Sequence, residues 1–140
     1  MVSKRLLIVA HTPSENTRIM LGAIVRGAQS ATNDRIEIDA KTAFETNSEQ
    51  VIQAQAIILG TTENLGYMSG GLKDFFDRIY YPCLETTQGL PYSLVIRAGQ
   101  DGTGTLRAIE KIATGLRWRA VQKALICKGE WKPNFVTQCE

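Results

Sequence analysis

A chain of 140 residues with 44% hydrophobic and 21% charged residues has the make-up of one soluble globular domain, long enough to bury a sizeable core. A net charge of +2 is too small for a nucleic-acid surface, and a lone histidine with three widely spaced cysteines argues against a metal centre and a disulfide framework. No apolar run approaches the ~20 residues needed to cross a bilayer, and Leu6 to Ala10 is too short for a signal peptide, so a cytoplasmic protein is expected.

Lys4 to Ala10 reads as a first strand, nearly all apolar from Leu6 and therefore central in a sheet. His11-Thr12-Pro13-Ser14-Glu15-Asn16-Thr17 follows, and Ile19, Met20, Ala23, Ile24 and Ala28 then mark one helix face. Hydroxyls and an amide at that junction suit a phosphate. First-turn N–H groups are unsatisfied, the helix dipole is positive there, and Ser and Thr add neutral donors. Helix capping by Ser14 or Asn16 explains the same residues without a ligand, and Glu15 would repel a phosphate unless it points to solvent. The stretch has neither Gly-x-x-x-x-Gly-Lys-Ser/Thr nor Gly-x-Gly-x-x-Gly, which disfavours a nucleoside-triphosphate loop and a dinucleotide fold. His11 has no assignable acid–base partner and reads as packed at the strand end.

Arg35 to Ala40 alternates apolar with charged residues, the pattern of a half-exposed edge strand. Asn47 or Ser48 starts a short helix that buries Val51 and Ile52. Ala56 to Leu59 is a third strand, apolar on both faces, and the stretch from Gly60 to Gly71 is long beside the two to six residues usual between strand and helix. From Leu72 the period becomes helical: Leu72, Phe75, Phe76 and Ile79 share a face, with Ser69 as N-cap and Pro82 as the stop. A buried strand opening through a polar, glycine-rich loop into a helix is how open α/β sheets build ligand sites.

Tyr92 to Ala98 is a fourth strand, and Gly99-Gln100-Asp101-Gly102-Thr103-Gly104 opens a helix with Leu106, Ile109, Ile112, Ala113 and Leu116 inward. Its Gly-x-x-Gly-x-Gly spacing, after the fourth strand rather than the first, is not the dinucleotide fingerprint. Arg117, Arg119 and Lys123 read as a solvated helix end. Ala124 to Cys127 is a short fifth strand, and the residues from Glu130 onward hold at most two helical turns.

Gly60-Thr61-Thr62-Glu63, Gly66, Ser69-Gly70-Gly71-Leu72-Lys73 and Phe76-Asp77-Arg78 resemble the second flavin loop of NADPH-dependent FMN reductases and flavodoxin-like proteins. Thr62 stands where that superfamily usually has Pro, and Asn64 where it often has an aromatic residue, so Tyr67 is the loop's only ring. The resemblance covers nearly the whole chain except its end. It implies a three-layer α/β flavodoxin-like fold over residues 1–140, a single domain with a five-stranded parallel sheet in the order 2-1-3-4-5 and a truncated C-terminal helix. It implies FMN, with Thr12, Ser14, Asn16 and Thr17 at the phosphate. Thr61, Thr62, Glu63, Asn64, Leu65, Gly66 and Tyr67 form the second loop, and Gly99, Asp101, Gly102 and Gly104 the third, against the flavin ring. No side chain need act as acid or base, and no metal is implied.

The activity implied is that of an NAD(P)H-dependent flavin- or quinone-type oxidoreductase, with a nicotinamide nucleotide and a small acceptor as partners, and neither nucleic acid nor membrane. The alternatives are an electron carrier, a class that is typically strongly acidic as this chain is not, and a flavin-free binding module. A sheet of this kind needs a closing helix after its fifth strand. Without it, apolar side chains drawn from Ile57, Leu59, Leu94, Ile96, Leu125 and Cys127 would face water. A homo-oligomer is therefore expected, with Trp131 and Phe135 as anchors.

Overall fold

The computed structural model describes residues 4–32 and 35–140. In chain order its elements are β1 (Lys4–Ala10), α1 (Glu15–Ala31), β2 (Ile36–Thr42), α2 (Ser48–Gln53), β3 (Ala56–Asn64), β4 (Tyr67–Met68), α3 (Gly70–Cys83), β5 (Pro91–Ala98), α4 (Thr103–Gly115), β6 (Arg119–Ala120), β7 (Leu125–Lys128) and α5 (Asn134–Cys139). Strands that are apolar on both faces are stable only between two helical layers. Accordingly β1, β3 and β5 lie side by side in the middle of the sheet, all parallel. The alternating β2 takes the edge beside β1. The other edge comes in two pieces, β6 and β7, each parallel to β5. Counting those two as one strand gives the expected order 2-1-3-4-5.

The stretch after β3 differs from the expected glycine-rich loop. β3 runs on to Asn64, turns through Leu65 and Gly66, and returns as β4, antiparallel to it. Both turn residues have positive φ, 53° at Leu65 and 76° at Gly66, as two-residue hairpins require. Smaller differences follow from local packing. Ile52 is exposed, so the six-residue α2 buries only Val51. α3 continues one residue past Pro82, and the fifth strand begins at Leu125 rather than Ala124. Ile19 lies outside the buried face of α1, which is formed by Met20, Ala23 and Ile24.

Strand alternation divides the core between two faces. One face takes Leu7, Val9, Ile57, Leu59, Leu94 and Ile96 and buries them under Phe75, Phe76 and Ile79 of α3 and Ile109 of α4. The other is covered by α1 and α5, where Met20, Cys127 and Phe135 form a smaller buried cluster flanked by Val95, Leu125 and Trp131. α5 has only six residues. Beside it the sheet floor is open as a groove of about 400 Å³, lined among others by Ile24, Ile58, Ser93, Val95, Leu125 and Cys139. This corrects the residues expected to face water. Ile57, Leu59, Leu94 and Ile96 belong to the closed face, and Cys127 is fully buried in the cluster with Phe135. Part-exposed apolar side chains of the open face include Ile58, Val95 and Leu125.

Candidate functional site

Parallel strands end at one edge of the sheet, so the chain segments after β1, β3 and β5 are brought together by topology alone. The order reverses between β1 and β3, because the chain leaves β1 for β2 on one side and returns to β3 on the other. Such a switch point leaves a crevice outside the carboxyl ends of the strands.

At the first segment Ser14 caps α1. Its Oγ accepts the N–H of Thr17 at 3.2 Å, while Ser14 N donates to Thr17 Oγ1 at 3.0 Å. Thr17 Oγ1 also donates to the Ser14 carbonyl at 2.9 Å, so the two hydroxyls satisfy each other and the chain. The capping role expected for Ser14 or Asn16 therefore falls to Ser14. Asn16 is exposed, and neither its amide nor the Thr12 hydroxyl has a hydrogen bond among the described residues. Glu15 also faces solvent, where the positive helix end stabilises it. His11 is packed at the strand end as expected, its ring edge-on to Phe44 at 5.8 Å.

Beneath this loop lies a cavity of about 20 Å³ whose lining includes Thr12, Thr17, Met20, Thr61 and Arg97. Arg97 is the residue that sequence reasoning missed. Its Nη1 donates to the carbonyls of Ala98 (2.8 Å) and Cys127 (3.1 Å). Its guanidinium lies 5.9 Å from the ring centre of Trp131 and 5.1 Å from that of Phe135. It pairs with no carboxylate among the described residues. A stacked, half-buried cation with free N–H groups is a ready partner for an anion. The only sequence signal was an arginine at the carboxyl end of an otherwise apolar and neutral strand.

The second and third segments are bound to each other by Glu63. One carboxylate oxygen accepts the N–H of Gln100 at 3.0 Å and the other that of Gly102 at 2.9 Å. Thr61, buried, accepts from Ser69 N at 3.0 Å and so pins the base of the hairpin, and Ser69 in turn caps α3 through Leu72 N. Thr62 donates to Asn64 Oδ1 at 2.8 Å. Asp101 accepts both the N–H and the hydroxyl of Thr103 at 3.0 Å, backbone bond first, and these hold its carboxyl below the usual range.

Two glycines are required by this packing. Gly102 has φ 74°, and a Cβ there would fall 2.8 Å from the Ile126 side chain. A Cβ on Gly104 would fall 2.4 Å from the carbonyl oxygen of Gly66, so only glycine lets the hairpin tip rest on the first turn of α4. Between tip and turn runs a groove of about 460 Å³ lined by Glu63, Leu65, Gly66, Gln100, Asp101 and Gly104. That volume is in the range of small-molecule sites. Leu65 is fully exposed at the tip, Tyr67 is partly exposed on the return strand, and Gly99 is exposed beside the groove.

The expected site residues thus fall into two adjoining places. Thr12 and Thr17 meet Thr61 at the cavity; Glu63, Leu65, Gly66, Asp101 and Gly104 share the groove. β3 joins the two, since Thr61 and Glu63 stand two residues apart, about 7 Å along the strand. Ser14, Asn16, Thr62, Asn64 and Gly102 surround these places without lining either. Among the described residues no cluster of three or more His, Cys, Asp or Glu side chains could hold a metal ion. No helix among them is long and apolar enough to cross a membrane.

No protein-family model matches the chain. A flavodoxin from Aquifex aeolicus is 29% identical to it over 75 residues, which are 54% of this chain and 40% of that protein. The chain therefore spans less than half the length of this curated relative. Among solved structures, a flavodoxin from the domain Archaea superposes with a TM-score of 0.80 at 17% identity, over 96% of this chain and 90% of that one. A WrbA-like flavodoxin from Agrobacterium tumefaciens does so with a TM-score of 0.72 at 16% identity, over 98% and 90%. The fold is flavodoxin-like, a three-layer α/β arrangement around a parallel sheet.

Proposed function

We propose that this chain binds FMN across the carboxyl edge of β1, β3 and β5 and works as an NAD(P)H-dependent oxidoreductase of the flavin- or quinone-reducing type. One observation carries the reading. At the switch point, where flavodoxin holds FMN, the first loop meets β3 at a cavity lined by Arg97, which pairs with no carboxylate among the described residues, and the same strand opens onto a ring-sized groove. The phosphate would lie at the N-terminus of α1, within reach of Thr12, Asn16 and Thr17, with Ser14 keeping the helix end in shape. Arg97 raises the positive potential beneath it. The ring would lie along the hairpin and third loop, where Glu63 fixes the loop backbone, and Tyr67 is the one aromatic side chain of the hairpin.

FMN, when bound, supplies the hydride and electron chemistry. The chain's part is to bind and orient it: hydroxyls and first-turn amides hold the anion, and the Glu63 tie keeps the groove walls at a fixed separation. The near-neutral charge favours a reductase over an acidic electron carrier. The likeness in shape to flavodoxins favours the carrier as the second reading. FMN-loaded protein mixed with NADH or NADPH and a quinone separates the two. Sustained nicotinamide oxidation supports the reductase; flavin that dithionite reduces and nicotinamides leave oxidised overturns it in favour of the carrier. The partner we infer for the open face is a second copy of this chain, covering Ile58, Val95 and Leu125.

A further inference from the structure

Trp131 and Phe135, expected from the sequence as anchors for a partner, have a partner within the chain. Phe135 is buried, Trp131 is partly buried, and the two rings meet edge to face at 5.7 Å. Both stack on Arg97, whose guanidinium carbon lies 5.1 Å from the centre of the Phe135 ring and 5.9 Å from that of Trp131. Arg97 faces Cys127 across the β5–β7 ladder, and its Nη1 folds back onto that ladder to reach the carbonyls of Ala98 and Cys127. Its Nε and Nη2 have no hydrogen-bond partner among the described residues. Arg97 lines the cavity with Thr12, Thr17 and Thr61, and neither ring does. The charge therefore stands between the aromatic pair and the first loop. A half-buried cation without a carboxylate is costly unless other groups compensate it, and two carbonyls and two rings do so here.

We infer that Trp131 and Phe135 are positioning residues for the phosphate site: stacked on Arg97, they hold its guanidinium beneath the first loop and shield it from water. The last segment of the chain then sets how strongly a phosphorylated ligand is preferred over an unphosphorylated one. This rests on the reading that the FMN phosphate lies at the N-terminus of α1. Two physical effects carry it. A long side chain that is already stacked loses less freedom when an anion arrives than one that wanders in solvent. Excluding water also lowers the effective dielectric constant, so the same charge acts more strongly over the same distance. Neither effect touches riboflavin, which has no phosphate. Phe135 also packs with Met20 and Cys127, whereas Trp131 only flanks that cluster, so Trp131 is the cleaner probe of the stack. By reciprocity, an anion that fixes Arg97 steadies the rings that stack on it.

The test measures the affinities of FMN and riboflavin for three proteins: wild type, Trp131→Leu, which keeps apolar bulk without a ring face, and Trp131→Phe, which keeps the face. Trp131→Leu should lower FMN affinity roughly three- to tenfold, the range of one cation–π contact, and leave riboflavin unchanged within about twofold. Trp131→Phe should stay near wild type. Equal losses for both ligands would make Trp131 structural support alone, and no loss for either would show that Arg97 is held without it; each result overturns the inference. The wild-type values separate this claim from the one beneath it. Equal wild-type affinity for FMN and riboflavin sinks the phosphate reading and the inference together, whereas a preference for FMN that survives in Trp131→Leu sinks the inference alone. Hydrogen exchange on the wild-type chain needs no variant to fold. Saturating FMN should slow exchange of the amides from Asn134 to Cys139 more than saturating riboflavin does, and identical protection by the two ligands would contradict the inference.

Discussion

The two faces of the sheet are finished to different standards. On the face under α2, α3 and α4, strand residues and helix residues interlock, and Leu7, Leu59, Phe75, Ile79, Ile96 and Ile109 are all out of contact with water. On the face under α1 and α5 the same strands present Ile58, Ser93, Val95 and Arg97, and beyond α1 the cover is a six-residue helix beside a groove of about 400 Å³. β5 shows the contrast within one strand: Tyr92, Leu94, Ile96 and Ala98 are buried, and the alternate residues are only partly so. The lesson is that stability and chemistry are divided between faces. The closed face holds the fold together, while the open one carries the arginine beneath the first loop and the apolar surface available to a partner.

The largest expected effect tests that division directly. Phe76→Ala, on the closed face against Phe75 and Trp118, should cost roughly 3–5 kcal/mol in denaturant unfolding. Phe135→Ala, on the open face, should cost less than about 3 kcal/mol, because its surroundings are already partly solvated. Equal losses would mean that the faces are equally packed. Next, light scattering of the purified chain at micromolar concentration should show a dimer or larger assembly. Covering an apolar side chain fully is worth about 1.5–3 kcal/mol, and Ile58, Val95 and Leu125 offer a fraction of that each. Leu125→Lys should shift the assembly toward monomer. A wild-type chain that stays monomeric and soluble would show that the open face needs no cover.

A smaller effect sharpens the comparison at the edge of the open face. Asn16→Ala with Thr17→Ala should weaken FMN binding by roughly 1–3 kcal/mol, the range of about one to three hydrogen bonds of which some reach a charged acceptor. Thr17 also belongs to the capping box, so the ligand-free protein should lose about 1 kcal/mol of stability as well. Loss of stability with unchanged affinity would assign these residues to capping alone.

The sequence was most legible where one period governed a long stretch. The apolar run of β1, the Leu72–Phe75–Phe76–Ile79 face of α3 and the inward row of α4 are all where periodicity puts them. The sheet order followed from the alternation of strand and helix together with the family resemblance. The hairpin was hidden because its turn is Leu65–Gly66 rather than Asn-Gly and its return strand has two residues, too short for any period. The exposure of Ile52 was hidden for the same reason, since six residues of helix do not fix a face. Arg97 was illegible for a different reason. A charge in a strand reads as pointing to water, and the rings that stack on this one come from residues more than thirty positions later. Likewise the tie from Glu63 to Gln100 and Gly102 joins segments that are distant in sequence, which only topology brings together.

The central claim is that the first loop, with Arg97 beneath it, holds the phosphate of FMN. Titration of the ligand-free chain with FMN and with riboflavin, which differs only in lacking that phosphate, tests it most directly. Charge-assisted hydrogen bonds at about 1.5–3 kcal/mol each predict that FMN binds at least roughly tenfold more tightly than riboflavin. Equal affinity for the two would contradict the account, for the loop from His11 to Thr17 would then be a helix cap and nothing more.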